Sequence, residues 1–185
     1  MRNLLLLLLW SCLGMSLSTA SAEIFSGKDL RTGKQTKINL ASAQKVNVLV
    51  FLSASCPCSM SHEAELNSLA DQYSKKGVQF VGIHSNDDEH RPDLEAHFQS
   101  KNWKFPVLQD GGAKIADRFG AFKTPHVFVI SPSGKTLYMG AVSDSRDFSA
   151  AKIFYLRDVL EDILSNRKLR WDKILSVGCV IRRPS

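Results

Sequence analysis

Residues 46–53, VNVLVFLS, constrain the fold more than any other stretch. The run is apolar at nearly every position and rich in β-branched side chains. As a strand it therefore needs cover on both faces, the pattern of a central strand in a parallel sheet. It passes through Ser-Ala-Ser-Cys-Pro-Cys-Ser into residues 57–76, where Met60, Leu66, Leu69, Ala70 and Tyr73 recur at spacings near three and four, as on one face of an amphipathic helix. Gly77 is a natural helix stop, and 78–84, VQFVGIH, is a second buried run. Strand, helix and strand with short connections demand a parallel central pair.

Downstream, the pattern predicts a helix over 93–101 after Pro92, a short strand over 105–108 and a helix over 113–119 closed by Gly120. Two strand-like runs, 126–130 and 135–142, flank Ser131-Pro132-Ser133-Gly134, a hairpin signal. A last helix is expected over 150–166, with Ile153, Phe154, Leu156, Leu160 and Leu164 on its apolar face. The class is α/β, a central mixed sheet flanked by helices.

The two ends carry different signals. MRNLLLLLLWSCLGMSLSTASA, residues 1–22, has one early arginine, a leucine-rich core and small residues before a cleavage point, and reads as a signal peptide. The expectation is an exported protein, periplasmic or extracellular, with no stable membrane insertion once the leader is removed. Residues 23–44, with Gly27 and Gly33, read as an N-terminal β-extension, 45–166 as the main domain and 167–185 as a basic, solvated C-terminal tail. The formal charge of +6 falls to +5 on loss of Arg2, the leader's one charged residue. Much of the excess lies in Arg167, Lys168, Arg170, Lys173, Arg182 and Arg183. No aromatic interleaving accompanies these charges, so no nucleic-acid partner is expected. No phosphate-binding glycine loop, nucleophile elbow or paired-carboxylate signature occurs, and no cofactor is expected.

Of the four cysteines, Cys56, Cys58 and Cys179 lie beyond the leader. An odd number in an exported chain favours a reactive thiol over a purely structural staple. With Cys56 ending the strand and Pro57 at the first helical position, the helix N-terminus stabilises a Cys56 thiolate, the nucleophilic form. Cys58 is two residues on, and residues two apart on a helix do not face each other. A Cys56–Cys58 disulfide would therefore be strained and labile, which leaves Cys58 and Cys179 both open as resolving thiols.

FLSASCPCSMSHEAELNSLADQY resembles the active-site strand and helix of the thioredoxin-like redoxins, the group of the alkyl hydroperoxide reductase/thiol-specific antioxidant proteins and the exported thiol-disulfide oxidoreductases. VQFVGIHSNDDE, KTPHVFVI and SPSGKTLYMG follow in the order of that family's second strand, cis-proline loop and hairpin, so the resemblance spans roughly 46–164. It implies a thioredoxin-like fold, Cys56 as nucleophile and Pro125 as a cis-proline lying against it. It also implies protein or small-molecule thiols and disulfides as partners, and peroxides if the chain is a thiol peroxidase. Ser59 stands where a C-x-x-C dithiol has its second cysteine, and the tail Val-Gly-Cys-x-Ile is similar to those of CPCS-type redoxins. The peroxidase signature P-x-x-x-T-x-x-C is half kept: Ser53 retains a hydroxyl, while Leu49 replaces the proline.

The alternative is a Cu(I)-binding or copper-delivery module, since soft thiolates select Cu(I). Cys56 and Cys58 would be joined by His126, or by His62 four residues beyond Cys58. The simpler readings are a solvated helix residue for His62, a strand residue without ligand duty for His126, a loop cap for His84 and Asn86, and a water-facing acidic run for Asp87, Asp88 and Glu89. Trp103, Phe119 and Phe122 read as packing residues.

Overall fold

The computed structural model describes residues 24–40 and 45–184; the leader expected over 1–22 lies outside them. The chain opens with a hairpin of β1 (Ile24–Lys28) and β2 (Gln35–Asn39). There follow β3 (Val46–Leu52), α1 (Pro57–Ser61), α2 (Glu63–Ser74), β4 (Val78–His84), α3 (Arg91–Ser100), β5 (Val107–Gln109) and α4 (Lys114–Phe119). The second half comprises β6 (Lys123–Thr124), β7 (His126–Ile130), β8 (Thr136–Gly140), α5 (Tyr155–Leu164) and β9 (Cys179–Val180). The central sheet has five strands in the order β5-β4-β3-β7-β8. β3 pairs in parallel with β4 and antiparallel with β7, so the βαβ unit and the added hairpin stand as the sequence pattern demands.

The period of two along β3 divides the core. Val48, Val50 and Leu52 face one cluster with Leu66, Leu69 and Tyr73 of α2, Leu94 and Phe98 of α3, and Leu156, Val159 and Leu160 of α5. Leu49 and Phe51 face the other, with Phe128, Ile130, Ala116 of α4, Phe25 and Ile38 of the first hairpin, and Ile181. Both sheet edges are covered, which removes the unpaired ladders that invite association. The first hairpin closes the β5 edge through Asp29 opposite Leu108 and Leu30 N–H on Val107 O at 2.8 Å. The segment after α5 closes the β8 edge: Met139 N–H donates to Asp172 O and Ile174 N–H to Met139 O, each at 3.0 Å.

Several element boundaries differ from the pattern for identifiable reasons. The helix expected over 57–76 breaks at His62, whose Nδ1 reaches the Cys58 carbonyl at 2.7 Å. That carbonyl would otherwise accept the His62 N–H, which turns instead to Ser59 O at 3.1 Å. Pro106 has no N–H for the ladder, so β5 begins at Val107, two residues after the expected start. The last helix starts at Tyr155 because Asp144 takes the Lys152 and Ile153 N–H groups at 2.9 and 3.0 Å. Phe122 packs one side of its ring against His126 but is 41 % exposed, and Met60 of the predicted apolar face is 40 % exposed.

The C-terminal segment is the largest departure. It is no solvated tail, because Arg167, Arg170, Arg182, Arg183 and the apolar Ile181 find partners on the domain. Arg170 and Arg167 meet Asp162 at 2.9 and 3.0 Å, and the Arg170 hydrogen bond holds that carboxyl down to about 2. Ile181 is buried, and β9 pairs with β6. Leu66 sits at the centre of the larger cluster with no exposed surface. Leu66→Ala should lower unfolding stability by about 2–5 kcal/mol, through lost burial and the cavity left behind, as read by urea denaturation.

Candidate active site

The loop that follows β3 is held by an unexpected frame of polar side chains. Ser53 N–H donates to Ser59 Oγ at 3.1 Å, so the residue standing in the place of a second dithiol cysteine instead ties α1 to the strand end. Ser53 Oγ accepts the Cys56 N–H at 2.9 Å and donates to Glu89 Oε1 at 2.5 Å. Glu89 Oε2 accepts the Ala54 N–H at 2.9 Å, and Asn86 Nδ2 donates to Oε1 at 2.8 Å. His84 Nε2 lies 3.2 Å from Oε2, close enough to pair with the carboxylate when the imidazole is protonated.

Glu89 is therefore not part of a water-facing acidic run. Its side chain is 5 % exposed beneath the Cys56 loop. Burial alone would push the carboxyl up, but His84, Ser53 and Asn86 outweigh it and hold the group at about 2. Sequence reading missed this residue because spacing does not distinguish it from Asp87 and Asp88. Only the packing of the 85–90 loop against the end of β3 selects it.

Cys56 caps α1 and is 2 % exposed, with its Sγ 3.3 Å from the Thr124 carbonyl oxygen. The Thr124–Pro125 bond is cis, as the resemblance implies. α1 has only five residues, so the field at Cys56 comes from little more than one turn and not from the long helix expected. Cys56 is disulfide-bonded to Cys179, with Cα atoms 6.0 Å apart, inside the range that such bonds span. Cys58 is a buried free thiol that donates to the Val177 carbonyl at 3.6 Å. Burial pushes this thiol up, and the charges of Arg146 and Lys123 offset the shift only in part.

His62 is buried, not solvated. Its Nδ1–H serves the Cys58 carbonyl, which leaves Nε2 to accept from Ser143 Oγ at 2.8 Å. His126 packs between Phe122 and Phe128, and burial lowers its imidazole to about 4, so it is neutral at pH 7. Among the described residues no group of three or more His, Cys, Asp and Glu side chains is arranged to hold a metal ion. The Ser53 hydroxyl, which occupies the peroxide-pocket position, is spent on Cys56 N–H and Glu89.

Beside the disulfide opens a cleft of about 600 Å³ walled by Pro57, Cys58, Ser61, Arg146, Gly178 and Cys179. Cys179 is exposed while Cys56 lies behind it. An incoming thiolate can attack the outer sulfur and release Cys56 as the leaving thiolate.

The frame around Glu89 makes a pH-dependent contribution to stability. A carboxyl lowered from 4.5 to about 2 stabilises the fold above pH 4.5, and that contribution is lost as pH falls through about 2. Glu89→Gln should therefore be less stable than the parent by roughly 2–3 kcal/mol at pH 7. In urea unfolding at a series of pH values, the gap should close as pH falls from 4.5 towards 2.

The redoxin family model matches residues 19–153. No curated protein matches the chain. Among solved structures, an uncharacterized conserved protein from Geobacillus kaustophilus superposes with a TM-score of 0.76 at 26% identity, covering 89% of this chain and 91% of that one. A Chlorobium tepidum chain assigned as a thiol:disulfide interchange protein DsbE superposes at 0.52 and 25% identity, covering 64% and 80%. A secreted disulfide oxidoreductase from Mycobacterium tuberculosis superposes at 0.54 and 22% identity, covering 77% and 95%, and speaks to fold alone. With a thioredoxin-like sheet, a strand-end cysteine facing a cis-proline loop and a family model spanning most of its length, the chain belongs to the redoxin family.

Proposed function

We infer that the protein is a thiol-disulfide oxidoreductase in which Cys56 is the nucleophile and Cys179 the resolving thiol. The observation that carries this reading is the disulfide between a strand-end cysteine and a second cysteine paired in register with Thr124, beside a cleft open to solvent. Similarity to the interchange protein from Chlorobium tepidum supports the same chemistry. Cys58 is left out of the pair by its geometry, and its raised titration keeps it a thiol at neutral pH.

The exchange balances without a cofactor. The Cys56 thiolate attacks one sulfur of a substrate disulfide, forming a mixed disulfide and expelling the other sulfur as thiolate. The Cys179 thiolate then attacks Cys56 Sγ, closes the internal disulfide and releases the second substrate thiolate. In the oxidising direction a substrate thiolate attacks the exposed Cys179 Sγ and releases the Cys56 thiolate, and the second substrate thiolate then attacks the substrate sulfur of that mixed disulfide, closing the substrate disulfide and releasing Cys179 as thiolate. The leader-like residues 1–22 support export, in keeping with oxidising compartments where such exchange operates.

Reduction of a protein disulfide by the mature chain, driven by a small dithiol, should fall to background in Cys56→Ser. Cys58→Ser should keep at least about half of the activity, since its thiol stays protonated and outside the pair. Cys179→Ser should accumulate a mixed disulfide on Cys56, visible by mass spectrometry. Full activity in Cys56→Ser would sink the reading.

A further inference from the structure

The C-terminal segment does more than deliver Cys179 to Cys56. It is seated as an added strand: Cys179 and Val180 pair antiparallel with Thr124 and Lys123, and Ile181 N–H donates to the Phe122 carbonyl at 3.0 Å. Its side chains are gripped at chosen positions. Ser176 Oγ donates to the Pro125 carbonyl at 2.7 Å, and Ile181 is 2 % exposed within the cluster of Phe51 and Phe128, while Val180 between them is open to water. Gly178 lies so close to Thr124 that a Cβ would overlap the Thr124 carbonyl oxygen, and its φ of +138° is one that L side chains rarely adopt. The far end is tied by Arg182 N–H to Asn86 Oδ1 and Asp87 N–H to Arg182 O, each at 2.9 Å.

In strand addition, backbone pairing supplies affinity and pockets for alternate side chains supply selectivity. Nothing in these contacts requires the added strand to belong to the same chain. The segment's last anchor on the β8 edge is Ile174, and Leu175, which follows it, is 74% exposed, which makes this the point from which the segment would lift if the disulfide opened.

We propose that the edge formed by 122–125 beside Cys56 is a docking groove for extended polypeptides that carry a cysteine directly preceded by glycine, and that residues 176–182 are its tethered occupant in the disulfide-bonded form. The proposal rests on the thiol-exchange reading and names its substrate class. Docked in the register of Gly178 and Cys179, the substrate's disulfide sulfur meets the Cys56 thiolate. A Cys56–substrate disulfide forms, and the sulfur formerly bonded to the substrate cysteine leaves as thiolate. Substrate and tail need the same edge, so the Cys179 thiolate attacks Cys56 Sγ as the tail displaces the substrate strand, whose cysteine leaves as thiolate.

The test uses the full mature chain as the reduced Cys58→Ser/Cys179→Ser variant, in which Cys56 is the one thiol. Its probes are the hexapeptide Ser-Val-Gly-Cys-Val-Ile with its cysteine disulfide-bonded to glutathione, the same peptide with alanine for glycine, and glutathione disulfide alone. The rate of the Cys56–peptide adduct, followed by mass spectrometry, is expected to be at least about tenfold higher for the glycine peptide than for the alanine peptide. Adding Gly178→Ala to the protein is expected to raise the glycine-peptide rate several-fold, because the tail no longer competes. Equal rates for the two peptides, with glutathione disulfide reacting normally, would overturn the glycine-reading groove and leave thiol exchange standing. An unchanged rate in the Gly178→Ala protein would overturn the tethered occupant. A Cys56 that reacts with none of the three probes would remove both the exchange reading and this inference.

Discussion

The register of β3 is the constraint on which the rest of the structure depends. Leu52 pairs with His84 in β4 and Phe51 with His126 in β7, so three chain segments end together at one edge of the sheet. That edge receives the Cys56 loop from β3, the Glu89 loop from β4 and the Thr124–Pro125 loop entering β7. A slip of one residue would exchange the Val48, Val50 and Leu52 face for that of Leu49 and Phe51, setting both core clusters against the wrong partners. Burial on both faces therefore fixes the positions of groups that make no apolar contact themselves.

Two polar devices build on that register. Glu89 gathers Ser53, Ala54, Asn86 and His84 at one carboxylate and so fixes the backbone from which Cys56 projects. Asn86 reaches the other way, to Arg182. The Cys56 loop and the segment that carries Cys179 are thus joined through one short stretch, 86–89. The exposed face of the disulfide belongs to Cys179, while Cys56 and the strand edge of Lys123 and Thr124 lie beneath the same segment, so the proposed docking couples chemistry to access through one bond.

Much of this was legible in the sequence where a single local rule governs. Apolar runs placed β3, β4 and β7 to within a residue or two, and Cys-Pro after a strand marked the loop that carries the disulfide. Boundaries failed where a side chain competes with the backbone, as His62 does for the Cys58 carbonyl and Asp144 for two amides before α5. Burial failed for His62 and Glu89, polar residues whose partners lie on other elements. The 167–185 segment misled because clustered basic residues resemble a solvated tail. Arg170 meets Asp162 and Arg183 meets Asp117 only once the chain has folded back.

By itself the sequence determined the α/β class, the parallel central pair, the hairpin and Cys56 as the thiol at a strand end, because periodicity and turn chemistry act within a few residues of chain. Cys58 and Cys179 were left equal as resolving candidates. Tertiary structure decided which of them is bonded to Cys56: α1 turns Cys58 toward Val177, while the returning C-terminal strand, guided by Ser176, Gly178 and Ile181, carries Cys179 across 123 residues of sequence to Cys56. A contact at that separation is specified by the packing of the whole domain and leaves no local spacing to read.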